Sequence, residues 1–119
     1  MSDKVFILDE IVTKAGMAAA YRDAYLERYA PAARGRGMTL ESVRLTPPLE
    51  LIEGCNTLHF LWSVENAAAF WGMRLGGTGD RPFDPSGREK AVWWEESKDM
   101  TVSRRRSVLV DYIAAKGAA

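Results

Sequence analysis

Cysteine and histidine occur once each in this 119-residue chain, as Cys55 and His59. One cysteine excludes an intrachain disulfide and any cysteine-built zinc site. As the only thiol, Cys55 is expected to be small, semi-buried and inert. Net charge is also lacking. Sixteen basic residues balance sixteen acidic ones, so neither nucleic acid nor an anionic membrane is implied as a partner. The run Arg104-Arg105-Arg106 is too short to change this. Long apolar runs are missing as well. Val5–Leu8 gives way at once to Asp9-Glu10, which is neither a signal peptide nor a membrane span, and a cytoplasmic location is expected. The chain holds no internal repeat, no G-x-S-x-G, no P-loop and no dinucleotide fingerprint. No clustered ligands point to a metal, and no organic cofactor is implied.

What is present is the composition of one globular domain over residues 1–119: 47% apolar, 27% charged, with four tryptophans. Domains typically run to about 100–150 residues, and a chain this short often gains stability by associating. Val5–Val12 reads as a strand with both phases apolar, hence covered on both faces and inside a sheet. Thr13 is placed to cap a helix running from Ala15 to about Ala33. Along that helix Met17, Tyr21, Tyr25 and Tyr29 recur every four residues, giving one apolar stripe. Pro31 is expected to end or kink the last turn, with Gly35 and Gly37 finishing it.

Met38–Thr46 reads as a second strand closed by Pro47-Pro48, which suits a sheet edge. A third strand passes through Thr57–Trp62, with Leu58, Phe60 and Trp62 on one face and His59 and Leu61 on the other. Ser63 or Asn66 opens a second helix bearing Phe70 and Trp71, stopped by Gly76-Gly77. The stretch Gly76–Gly87, with four glycines and two prolines, reads as a loop and a candidate lid. Ser86–Glu89 has capping-box spacing ahead of Trp93 and Trp94. The last strand spans Val102–Tyr112, and residues 113–119 read as a frayed tail. The order is that of a ferredoxin-like βαββαβ domain, α+β with an antiparallel sheet. Two helices cover one sheet face; the other face is expected to meet a second copy.

On the strand VFILDEIV, the Ala/Tyr-rich first helix and the segment LHFLWSVENAAAFW, the chain resembles the dimeric α+β barrel superfamily. Within it, the antibiotic-biosynthesis-monooxygenase-like and NIPSNAP-like domains are the nearest. The resemblance spans nearly the whole chain. It implies a homodimer through the sheet and a pocket between helices and sheet. Activities in the group range from cofactor-free oxygenases and isomerases to haem enzymes and proteins with no known activity.

His59 suits a general base, or a metal or haem ligand, or simply a hydrogen-bonded histidine on a sheet. Asp9 and Glu10 must point to opposite faces. One of them is either half of an acid–arginine pair with the last strand or a carboxylate tuned for catalysis. These three are the candidate catalytic residues. Arg44 is a candidate anchor for a substrate carboxylate or phenolate. Tyr21, Tyr25, Trp62, Trp71, Trp93 and Trp94 are expected either to fill the core or to line a pocket for a planar, partly polar ligand. The function expected is a small-molecule enzyme without a bound organic cofactor, acting on an aromatic or polyketide-like substrate. A non-catalytic dimeric binding module and a haem protein are the alternatives.

Overall fold

A computed structural model describes residues 3–76 and 92–113, with the backbone alone for 74–76. Four strands, β1 (Val5–Thr13), β2 (Thr39–Thr46), β3 (Thr57–Val64) and β4 (Thr101–Val110), form one antiparallel sheet in the order β2-β3-β1-β4. The doubly apolar β1 therefore lies inside the sheet and β2, with its trailing prolines, at an edge, as their sequences imply.

Strand parity divides the side chains cleanly. Val5, Ile7, Asp9, Ile11 and Thr13 of β1 and Leu58, Phe60, Trp62 and Val64 of β3 are buried on one face. Phe6, Leu8, Glu10 and Val12 fall on the opposite face with His59, Leu61 and Ser63. The first face is roofed by helix; the second carries no helix among the described residues.

The roof is one helix in three stretches: α1 (Ala18–Ala24), a π-helical segment (Tyr25–Tyr29) and α2 (Ala30–Gly35). In a regular α-helix, residues four apart drift by about 40° per step, so Tyr29 would lie about 80° round from Tyr21. The wider π turn removes that drift, and all three tyrosines are fully buried on one line. Tyr25 stacks on Phe60 with centroids 3.7 Å apart, and Tyr21 meets Trp93 edge-on at 5.4 Å.

Several local expectations are corrected. Pro31 does not end the helix, which runs on to Gly35. It follows the π segment, where Ala30 N–H reaches back to Tyr25 O, and it stands in the first turn of α2, where a missing N–H costs little. Thr13 does not cap α1. It is the last residue of β1, and its hydroxyl points to Asn56 O at 3.4 Å. Cys55 is exposed rather than semi-buried, because its neighbour Asn56 is the residue that turns inward. The buried Asn56 side chain accepts from Leu51 N–H at 2.8 Å and donates to Leu49 O at 2.9 Å, pinning the loop between β2 and β3. That loop packs on Gly16 (φ +71°), where a Cβ would come within 2.8 Å of Ile52 O.

Asn66, one of two residues expected to open the second helix, caps α3 (Ala67–Gly76) by accepting from Ala69 N–H at 2.8 Å. The Gly77–Gly87 part of the expected loop, the Ser86–Glu89 capping box and the tail beyond Ile113 lie outside the described residues. A helical turn over 92–96 and a 3-10 turn (Ser97–Met100) lead into β4. No helix among the described residues is long and apolar enough to cross a membrane.

Candidate functional site

The sheet separates the polar residues singled out from sequence into two groups on opposite faces. Asp9 points under the helices. Its Oδ1 accepts from Arg106 Nε at 2.5 Å, and Oδ2 accepts from Arg106 Nη2 at 2.7 Å and from Tyr25 Oη at 2.8 Å. Tyr25 Oη in turn accepts from Trp62 Nε1 at 2.6 Å. The pairing follows from register, since Asp9 and Arg106 are direct partners on β1 and β4. Of the alternatives open for Asp9, the acid–arginine pair is the arrangement observed.

Tyr29 Oη extends this network, accepting from Arg106 Nη2 at 2.9 Å and from Arg36 Nη2 at 3.0 Å. The guanidinium of Arg104 lies 4.0 Å over the ring of Trp94. Burial raises the Tyr25 hydroxyl well above the usual tyrosine range, and the Asp9 charge adds to the rise. Arg106 is held protonated by its bonds to Asp9, which outweigh the effect of its burial. Burial likewise pushes Tyr21 up to about 12. Tyr21 Oη and Trp93 Nε1 are enclosed without a hydrogen-bond partner among the described residues.

On this face Tyr21, Tyr25 and Trp62 are fully buried and in ring contact with one another or with Phe60 and Trp93. They pack as core instead of lining open space. Trp71 is 56% exposed: neighbouring helical residues diverge by about 100°, and it is Phe70 that turns inward.

His59, Glu10 and Arg44 occupy the other face. Arg44 and His59 are cross-strand partners on β2 and β3, and Glu10 is the partner of His59 on β1. His59 Nδ1 stands 3.7 Å from Glu10 Oε2, and Nε2 stands 2.8 Å from Thr46 Oγ1. An Nδ1–H tautomer satisfies both contacts: the ring N–H faces the carboxylate and Thr46 donates to Nε2. Leu8, Ser42, Arg44, Leu45, Thr46, His59 and Leu61 line a half-open depression of about 420 Å³. The Ser42 hydroxyl oxygen is buried there and makes no hydrogen bond among the described residues.

The structure thus joins His59 to Glu10 and Arg44, and separates all three from Asp9 and the buried aromatics. Sequence reasoning missed Thr46 and Ser42 on one face and Arg36 on the other. Strand parity was the signal for the first two, since both share the phase of Arg44 across the bulge between Leu40 and Ser42. No group of three or more histidine, cysteine and acidic side chains is placed to hold a metal among the described residues.

No family model matches the sequence, and no curated protein matches it. Solved structures do. An uncharacterised NIPSNAP-domain protein from Burkholderia xenovorans superposes with a TM-score of 0.62 at 11% identity, covering 90% of this chain and 93% of the other. A NIPSNAP family protein from Agrobacterium tumefaciens gives 0.60 at 10% identity over 90% and 91%. A Nitrosomonas europaea protein assigned to the antibiotic biosynthesis monooxygenases gives 0.60 at 7% identity over 96% and 95%. With its strand order, register and one-sided helical roof, the chain has the ferredoxin-like α+β fold of the NIPSNAP and antibiotic-biosynthesis-monooxygenase-like structures.

Proposed function

We propose that this chain is a cofactor-free small-molecule enzyme that begins its reaction by taking a proton from an aromatic or polyketide-like substrate. Fold is no guide to chemistry at this level of likeness; the reading rests on the depression on the open sheet face. The observation that carries it is His59 set between a carboxylate and a hydroxyl, beside the guanidinium of Arg44. Arg44 holds the substrate oxygen. When the Thr46 hydroxyl swings aside, Nε2 receives the proton, and Glu10 stabilises the imidazolium. The charge left on the substrate is an enolate or phenolate facing Arg44. Leu8 and Leu61 supply an apolar wall suited to a ring or short acyl chain.

The same reading includes a homodimer. The open face presents Phe6, Leu8, Val12, Leu61 and Leu109 with no helix over them among the described residues, the last 43% exposed. Four strands about 4.8 Å apart and about 26 Å long present roughly 500 Å² of sheet. Two such faces bury about 1,000 Å², enough for a specific interface. A second copy laid across the face walls in the His59 depression and excludes water from it.

The test is hydrogen–deuterium exchange at the carbon between the carbonyls of 1,3-diketones, followed by NMR. The expected result is exchange faster than buffer that falls by about 10²–10⁴ in His59→Ala. Exchange at the buffer rate, or an unchanged rate in a folded His59→Ala, refutes the proton-transfer role. Saturable binding with no exchange assigns the face to a non-catalytic binding module.

A further inference from the structure

On the roofed face, away from His59, the hydroxyl of Tyr29 has a donor's role that the proposed reaction does not use. Tyr29 is 1% exposed. Its hydroxyl oxygen already accepts two guanidinium N–H groups, from Arg36 and Arg106. With both lone pairs so engaged, its own O–H has only a donor's role left, and it meets no acceptor among the described residues. Arg106 spends Nε and Nη2 on Asp9 and Tyr29, which leaves the Nη1 side of the fork outside those bonds. Arg104 contacts the face of Trp94 at 4.0 Å and pairs with no carboxylate among the described residues. Arg106 also lies 5.5 Å from the Trp94 ring centroid, so Trp94 forms the floor beneath both guanidinium groups. The carboxylate bonded into this cluster, Asp9, already accepts from Tyr25 and Arg106.

We infer that Tyr29, Arg104 and Arg106, floored by Trp94, form a binding site for a small oxyanion, a carboxylate or phosphate group, separate from the His59 depression. An oxyanion supplies the missing acceptor for the buried Tyr29 hydroxyl. It sets one oxygen against the Nη1–H of Arg106, left outside its bonds to Asp9 and Tyr29, and paired oxygens against the planar fork of Arg104, the geometry that makes arginine the preferred partner of such groups. The bonds of Arg106 to Asp9 and Tyr29 hold its Nη1 in place before an anion arrives, so little side-chain entropy is lost there on binding. Arg104 reaches solvent and provides the entry side.

The experiment titrates the protein with inorganic phosphate and, separately, with acetate and benzoate at constant ionic strength. It follows arginine Nε–H and tryptophan indole resonances. Saturable shifts at Arg104, Arg106 and Trp94 are expected, and whichever series binds more tightly identifies phosphate or carboxylate as the ligand group. Arg104→Gln, at an exposed position, is expected to weaken binding at least about tenfold, and Arg104→Lys less, because lysine keeps the charge without the fork. Arg44→Gln, on the opposite face, is expected to leave this titration unchanged, whatever it does to proton exchange. Absence of saturable shifts up to tens of millimolar, equal affinity in Arg104→Gln, or loss of the shifts in Arg44→Gln overturns the inference.

Discussion

Asp9 and Arg106 face each other across the β1–β4 ladder and close a two-pronged ion pair, with Tyr25 as a third donor to the carboxylate. The pair sits where parity demands a side chain under the helices, so its charges are removed from water and depend on one another. Removing one partner strands the other. Asp9→Ala is therefore expected to cost about 3–5 kcal/mol of folding stability, measured as a lowered urea midpoint. Adding Arg106→Met to that variant is expected to restore part of the loss, because an apolar chain of similar length needs no counter-charge. A cost below about 1 kcal/mol for Asp9→Ala contradicts this account.

Alkali attacks the same region. Tyr21 and Tyr25 both titrate above the ordinary tyrosine value, chiefly because burial penalises the phenolate, and Tyr21 does so at about 12. A folded-state value above the unfolded one means that the unfolded chain loses its protons first as pH rises. The stabilisation is whole below about pH 10 and is lost between pH 10 and 12. The two-unit rise at Tyr21 alone corresponds to about 3 kcal/mol. Phenolate absorbance and near-ultraviolet circular dichroism are expected to change together over that window. Phenolate formation by all four tyrosines with native dichroism intact contradicts the prediction.

The layout of the sheet was legible in the sequence, because parity and proline are local signals. A strand apolar in both phases had to be internal, and Pro47-Pro48 had to follow an edge. His59 and Trp62 had to face opposite ways, as they do. Which arginine meets Asp9 was not legible. Three consecutive arginines offer both phases, and a slip of one residue would exchange every face of β4. Only the β1–β4 register selects Arg106, 97 residues from its partner. The π segment was hidden for a similar reason: the four-residue tyrosine spacing suits an apolar stripe whether or not the helix widens. Asn56 gave no signal at all, since its partners are loop backbone atoms. Of the two carboxylates offered as partners for His59, parity joins Glu10 to it and sets Asp9 on the other face with Trp62.

The covering of the open face is tested by charge. Leu61 lies on the inner strand β3 and faces away from the helices. Wild-type protein at micromolar concentration is expected to scatter light as a dimer, and Leu61→Glu as a folded monomer, because two like charges would meet across a two-fold seam. A wild-type monomer removes the dimer from the reading. A Leu61→Glu dimer places the contact elsewhere on the molecule.

Thr46 gives the sharpest test of the His59 arrangement, because it links the histidine to the loop that Asn56 pins. Its hydroxyl meets Nε2 at 2.8 Å, and its carbonyl accepts from Asn56 Nδ2 at 3.4 Å. Thr46→Val keeps the shape and removes the hydroxyl. If Thr46 donates to Nε2, the imidazole loses the contact that favours the Nδ1–H form, and the nitrogen-15 shifts of its two ring nitrogens are expected to move closer together. Folding stability is expected to change by about 1 kcal/mol, the scale of one partly exposed hydrogen bond. Asn56→Ala instead orphans several loop groups at once and is expected to cost about 2–4 kcal/mol. Unmoved ring-nitrogen shifts in Thr46→Val mean that Glu10 alone orients His59, and that the base needs no displaced hydroxyl to accept its proton.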